Sequence, residues 1–121
     1  MLDHPAMGDF PRFVRNPKNR IAASSQYTEG VEGWLFDGAE GSQAALWQCS
    51  TDRTSTEHAH DFDEYVLVIQ GRCSVSIGDS TTVLTAGHEL VVPKGTRQRM
   101  EVAAGTRTLH VFGGRSAERE S

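Results

Sequence analysis

From about Thr28 to Phe112 the chain is a succession of short apolar or alternating runs broken by turn residues. No stretch of ten or more residues has the spacing of an amphipathic helix. Side chains of a strand alternate faces with a period of two, whereas a helical face needs apolar residues every three or four positions. Gly33 to Gly38 and Gln43 to Cys49 read as strands, and the apolar run Tyr65 to Ile69 is closed by Gly71. Cys73 to Ile77 alternates cleanly, and Gly78-Asp79 makes a hairpin turn into Thr82 to Leu84. Glu89 to Val92 stops at Pro93-Lys94-Gly95, and Gln98 to Val102 and Thr106 to Phe112 complete the series. Many short strands at even spacing predict an all-β sandwich or barrel over residues 26–113. Residues 1–25 carry Pro5, Pro11 and Pro17 without periodicity and predict an extended arm. Residues 114–121 are small, polar and charged and predict a loose tail.

A chain of 121 residues has room for one core, hence one domain. Its net charge of −4 comes without a basic block, which argues against nucleic acid or anionic membranes as partners. No apolar run approaches a membrane span, and Met1-Leu2-Asp3-His4-Pro5 is too polar to open a secretory signal. Cys49 and Cys73 form no C-x-x-C pair, so both are expected free, as packing residues in a reducing cytoplasm.

The chemistry concentrates in His58-Ala59-His60-Asp61-Phe62-Asp63-Glu64. Read as extended chain, His58 and His60 point the same way and Glu64 shares their parity. Three donors then converge on one face, as a 2-His-1-carboxylate metal site requires. Two histidines alone at this spacing are more often incidental on a strand. The glutamate at fixed distance and the closing Gly71 give the pattern its specificity.

These residues resemble the cupin superfamily from about Gln43 to Phe112. Its first motif, G-x5-H-x-H-x3,4-E-x6-G, is matched from His58 through Gly71, with Asp52 in place of the leading glycine. Its second, G-x5-P-x-G-x2-H-x3-N, is met by Gly87, Pro93 and Gly95; Gln98 then stands at the histidine position and Val102 at the asparagine. The phrases Val31 to Gly38 and Gly105 to Gly114 are similar to a small bacterial single-domain subgroup. The resemblance implies a small double-stranded β-helix, jelly-roll-like, and a mononuclear divalent transition metal (Fe, Mn, Ni or Zn). It assigns His58, His60 and Glu64 as ligands and Gln98 as the fourth candidate, and it implies pairing of barrels.

Gln98, Met100 and Val102 share one parity and Arg99 and Glu101 the other, so alternation turns Gln98 inward. An inward amide must be satisfied. Gln98 either ligates through its carbonyl oxygen, which suits Mn(II) or Fe(II), or hydrogen-bonds to a ligand or water. Trp47, Met100 and His110 are candidates for a substrate pocket. Ordinary core is the other reading of Trp47, and a satisfied core histidine that of His110, because Leu109 and Val111 opposite it are equally apolar. Tyr65 should face away from Glu64. Asp61 and Asp63 have the wrong parity for the metal, although Asp61 could orient a ligand histidine. His4, His88, Arg97 and Arg99 read as solvated.

The leading expectation is an enzyme using its metal as Lewis acid or oxygen-activating centre on a small polar or anionic organic substrate, by dioxygenase, isomerase or lyase chemistry. The alternative is a non-catalytic module that senses or binds a small ligand or the metal. A third possibility is a barrel that has lost its metal, with Gln98 as the trace. The arm and the two-sided apolar strand at Tyr65 to Ile69 further predict a homodimer.

Overall fold

A computed structural model describes residues 9–26 and 31–120. Its strands are β1 (Val31–Asp37), β2 (Gln43–Cys49), β3 (Arg53–Thr54), β4 (Glu64–Gln70), β5 (Arg72–Ile77), β6 (Ser80–Thr85), β7 (Glu89–Val92), β8 (Arg99–Val102) and β9 (Arg107–Phe112). They pair antiparallel in a five-stranded sheet of order β1-β2-β9-β4-β7 and a four-stranded sheet of order β3-β8-β5-β6. The architecture is an all-β, jelly-roll-like barrel. No helix among the described residues is long and apolar enough to cross a membrane.

One core joins the sheets: Val66 and Val68 of β4 and Val92 of β7 meet Cys73, Val75, Leu84 and Met100 of the smaller sheet. Each fully buried valine there contributes about 1.5–3 kcal/mol through removal of its surface from water. Gly71 carries the chain from β4 in one sheet to β5 in the other, at φ +89°. A second core, of Ile21, Leu35, Ala45, Phe112 and Ala117, fills the β1–β2 end and draws in residues of both terminal segments.

Both terminal segments differ from expectation. The described part of the arm is coiled rather than extended, with 3-10 turns at Pro17–Asn19 and Ala23–Ser25. Its Phe10 and Val14 are buried on the outer face of the larger sheet, against Trp34, Phe36, Leu46 and Ile69. That face is apolar, and the chain covers part of it with its own arm. The tail is pinned rather than loose. Gln43, buried on β2, accepts from the backbone N–H groups of Ser116 and Ala117 and donates to the Ala117 carbonyl. Arg119 binds Asp37 and the Leu35 carbonyl, and Ala117 is buried. A buried amide with all these partners outweighs the weak intrinsic preference of a short polar tail.

Cys49 and Cys73 are both free and buried. Burial pushes both thiols up, Cys73 to about 12. At pH 8 about one Cys73 in ten thousand is then a thiolate, the reactive form. Iodoacetamide at that pH should label neither cysteine in the folded protein and both after denaturation, as read by mass spectrometry.

Candidate metal centre

The segment that carries the two histidines is not one continuous strand. His58 forms an isolated antiparallel bridge with Gln98, with backbone hydrogen bonds of 2.9 and 2.8 Å, and β4 begins only at Glu64. The loop of Pro93, Lys94 and Gly95 holds the irregular stretch between them. Gly95 N–H donates to the His60 carbonyl at 2.9 Å, and Lys94 N–H donates to Asp63 Oδ1 at 2.8 Å. Strand alternation thus brings the right residues together, although the backbone that does so is a bridge, a bend and a strand start.

His58, His60 and Glu64 each offer a ligand atom, and these atoms all lie within 4.8 Å of one another. His58 Nδ1 lies 2.8 Å from the Thr56 carbonyl, which can only accept, so the proton sits on Nδ1 and the lone pair on Nε2. Burial of His58 lowers its pKa and favours the neutral ring that a metal needs. The His60 ring stacks on Phe62 with centroids 4.8 Å apart and meets Phe112 edge-on at 5.7 Å. Phe62 has room because Gly114 lies against it: a Cβ there would come within 2.7 Å of the ring.

Glu64 is a buried carboxylate with three donors around it. His110 Nδ1–H donates to Oε2 at 2.7 Å, Gln98 Nε2 donates to Oε1 at 2.7 Å, and His60 Nε2 is 3.4 Å from Oε1. Burial alone would push the carboxyl up, but hydrogen bonds from His110, His60 and Gln98 outweigh it and hold the group ionised. Gln98 is buried as its parity predicts, and its Oε1 has no hydrogen-bond partner among the described residues. Two imidazoles and an ionised carboxylate are a donor set that fits a borderline or hard divalent ion.

A cavity of about 100 Å³ opens beside this cluster, and Trp47, Met100 and His110 line it. His110 faces in because β9 pairs with β4 in the register Val66↔His110, which periodicity alone left open. Trp47 lies over Gly33 of β1, where a Cβ would sit 2.3 Å from the indole. Asp61 is exposed and paired with Lys94 at 3.5 Å, away from any ligand histidine. Arg97 pairs with Glu57, Arg99 with Glu101, and Tyr65 with Glu89, all outside the cavity. His88 is exposed, and His4 lies outside the described residues. Contributors that the sequence motifs did not point to include the Thr56 carbonyl, Phe62 and Ala117. Phe62 shares the parity of His60 and Glu64, a signal that was available. A carbonyl and a distant tail residue leave none.

No curated protein matches this sequence. Solved structures similar to it include a cupin superfamily protein from Desulfitobacterium hafniense, 17% identical over 69% of this chain and 77% of that one, with a TM-score of 0.64. KdgF from Halomonas sp. is 16% identical over 84% of this chain and 94% of its own, with a TM-score of 0.63. The Clostridium difficile EutQ protein is 17% identical over 68% of this chain and 61% of its own, with a TM-score of 0.56. At such identities the likeness extends to the fold. Residues 46–112, more than half of the sequence, match the Cupin_2 family, the cupin domain. The chain therefore belongs to the cupin family.

Proposed function

We propose that this cupin holds one divalent transition metal through His58, His60 and Glu64 and acts on a small organic substrate in the adjoining cavity. The observation that carries this reading is the convergence of the three ligand atoms within 4.8 Å at the wall of a cavity. A divalent ion there would supply Lewis-acid or oxygen-activating chemistry, of the dioxygenase, isomerase or lyase type. The surrounding residues have separate tasks. Glu64 contributes the one negative charge of the donor set, and Gln98 adds none, so the centre stays net positive and favours an anionic or enolizable oxygen ligand. His110 holds its proton on Nδ1 against Glu64 and fixes the carboxylate. Trp47 and Met100 form apolar wall that excludes water.

A second reading, a module that binds or senses a small ligand or the metal without turnover, has one observation in its favour. Among the described residues lining the cavity, His110 is the only imidazole outside the proposed ligand set, and it is already engaged with Glu64. Metal analysis of protein purified without an affinity tag, then oxygen uptake and thermal shift with small carboxylates and keto acids, separates the two. Turnover supports the enzyme, thermal shifts alone support the module, and a protein that takes up no divalent ion ends both metal-based readings.

Gln98 is the proposed fourth donor through its unpartnered Oε1. Replacing that neutral oxygen by an imidazole in Gln98→His should tighten metal binding about tenfold or more, as isothermal titration would measure. An unchanged affinity would make Gln98 an orienting group for Glu64 only. Two free cysteines support a reducing, cytoplasmic setting. We also propose a two-fold homodimer. Phe10 and Val14 are occupied on their own sheet, so the support comes from β7, an edge strand on which Val91 is 57% exposed. Light scattering at micromolar concentration should give twice the monomer mass.

A further inference from the structure

We propose that the cavity takes a small monoanion with an apolar body: a carboxylate or enolate head on a short aliphatic or single-ring frame, rather than a polyhydroxylated acid. The head rests on the metal reading above; the body rests on the walls alone.

The cavity beside the ligand cluster is walled by Val31, Trp47, Met100, Val102, Phe112 and Ala117. Its size, about 100 Å³, is on the scale of one ring or a short branched chain. Two of the hydroxyls that line it are already engaged. Thr106 Oγ1 bonds both the N–H and the carbonyl of Arg72, and Ser55 Oγ accepts from Met100 N–H. Among the described residues no Lys or Arg lines the cavity, and residues 1–8, 27–30 and 121 contain neither. A second carboxylate on the ligand would therefore meet no cation. Among the described residues the polar groups left on the walls are few, with the unpartnered Gln48 Oε1 the one buried acceptor. Most hydroxyls along a ligand's body would then exchange water for carbon, which is unfavourable when the lost hydrogen bonds are not replaced.

The chain also spends a residue on keeping the aromatic wall in place. Gly33 stands directly across from Trp47 in the β1–β2 register, and any side chain there would collide with the indole. The ring therefore lies against bare backbone and presents its other face to the open space. A flat apolar surface beside a net positive centre is matched by a ligand that is charged at one end and greasy at the other.

The test uses the full chain loaded with Mn²⁺, whose uptake is measured first by titration of the ion itself. Calorimetry then compares pyruvate, 2-oxobutanoate, 2-oxopentanoate and phenylpyruvate with gluconate. Burial of each added methylene should tighten binding about fourfold, and gluconate should bind more weakly than 2-oxopentanoate. Trp47→Ala should flatten that slope; Val31→Asn, at a half-buried position, serves if Trp47→Ala does not fold. An affinity independent of chain length, or gluconate binding as tightly as the longer oxo acids, overturns the proposal. Should Mn²⁺ fail to bind, the metal reading falls by itself. The neutral series 1-propanol, 1-butanol and 1-pentanol on the metal-free protein then decides the wall chemistry by the same slope: a rise with length supports the apolar body, and a flat series overturns it.

Discussion

Replacing His58 or His60 with alanine should weaken divalent-metal binding by at least about a hundredfold while the barrel remains folded. Loss of a group that merely orients a ligand costs roughly ten- to a hundredfold in metal affinity, and removal of a donor from a three-residue set exceeds that. The two variants should differ in stability. His58 is partly exposed and held through Nδ1 by the Thr56 carbonyl, so its removal leaves little void. His60 stacks on Phe62 and touches Phe112, and its truncation opens space among aromatic rings. About 1–2 kcal/mol of stability should go with it. His88→Ala, at an exposed turn, is the control and should leave metal binding unchanged. Titration of Mn²⁺ or Zn²⁺ followed calorimetrically, with thermal melts of the same samples, checks each part. Equal affinity in wild type and both variants would remove the proposed ligand set altogether.

Gly71→Ala should cause a large loss of stability. Gly71 has φ +89°, a region that L side chains rarely adopt, and an added Cβ would lie 2.4 Å from Thr106 Oγ1 and 2.7 Å from Thr106 Cα. Neither neighbour can yield easily. Thr106 is fully buried, and its hydroxyl bridges the N–H and carbonyl of Arg72 across the corner where the chain leaves one sheet for the other. Backbone strain of about 1–2 kcal/mol adds to a clash that breaks those bonds, for a total of about 2–4 kcal/mol. The melting temperature should fall by roughly 10–20 °C. Gly41→Ala separates the two causes. Gly41 also has positive φ, at 80°, but nothing lies within 4 Å of its added Cβ, so that variant should show the strain alone. Equal melting temperatures for the two variants would mean that the contact with Thr106 contributes nothing.

Local pattern determined much of this protein. Period-two alternation from Gln98 to Val102 was sufficient to bury Gln98 and Met100 and expose Arg99 and Glu101. The spacing of His58, His60 and Glu64 was sufficient to bring three ligand atoms together, because parity survives a bend as long as the chain stays nearly extended. The two-residue turn at Gly78-Asp79 and the corner at Gly71 were likewise written in single residues. Tertiary structure decided everything that depends on pairing between distant segments. The face taken by His110 followed from its register with Val66, since Thr108, His110 and Phe112 alternate with side chains equally apolar. The partners of Glu64 come from positions 98 and 110, and no local period can anticipate a hydrogen bond across 34 or 46 residues. The tail looked loose because its own composition is polar; it is held by Gln43, more than seventy residues earlier, whose buried amide needed those backbone groups as much as they needed it. The arm, read as extended from its prolines, folds back because the outer faces of β1 and β2 carry Trp34, Phe36 and Leu46, and covering them releases water that no local preference takes into account.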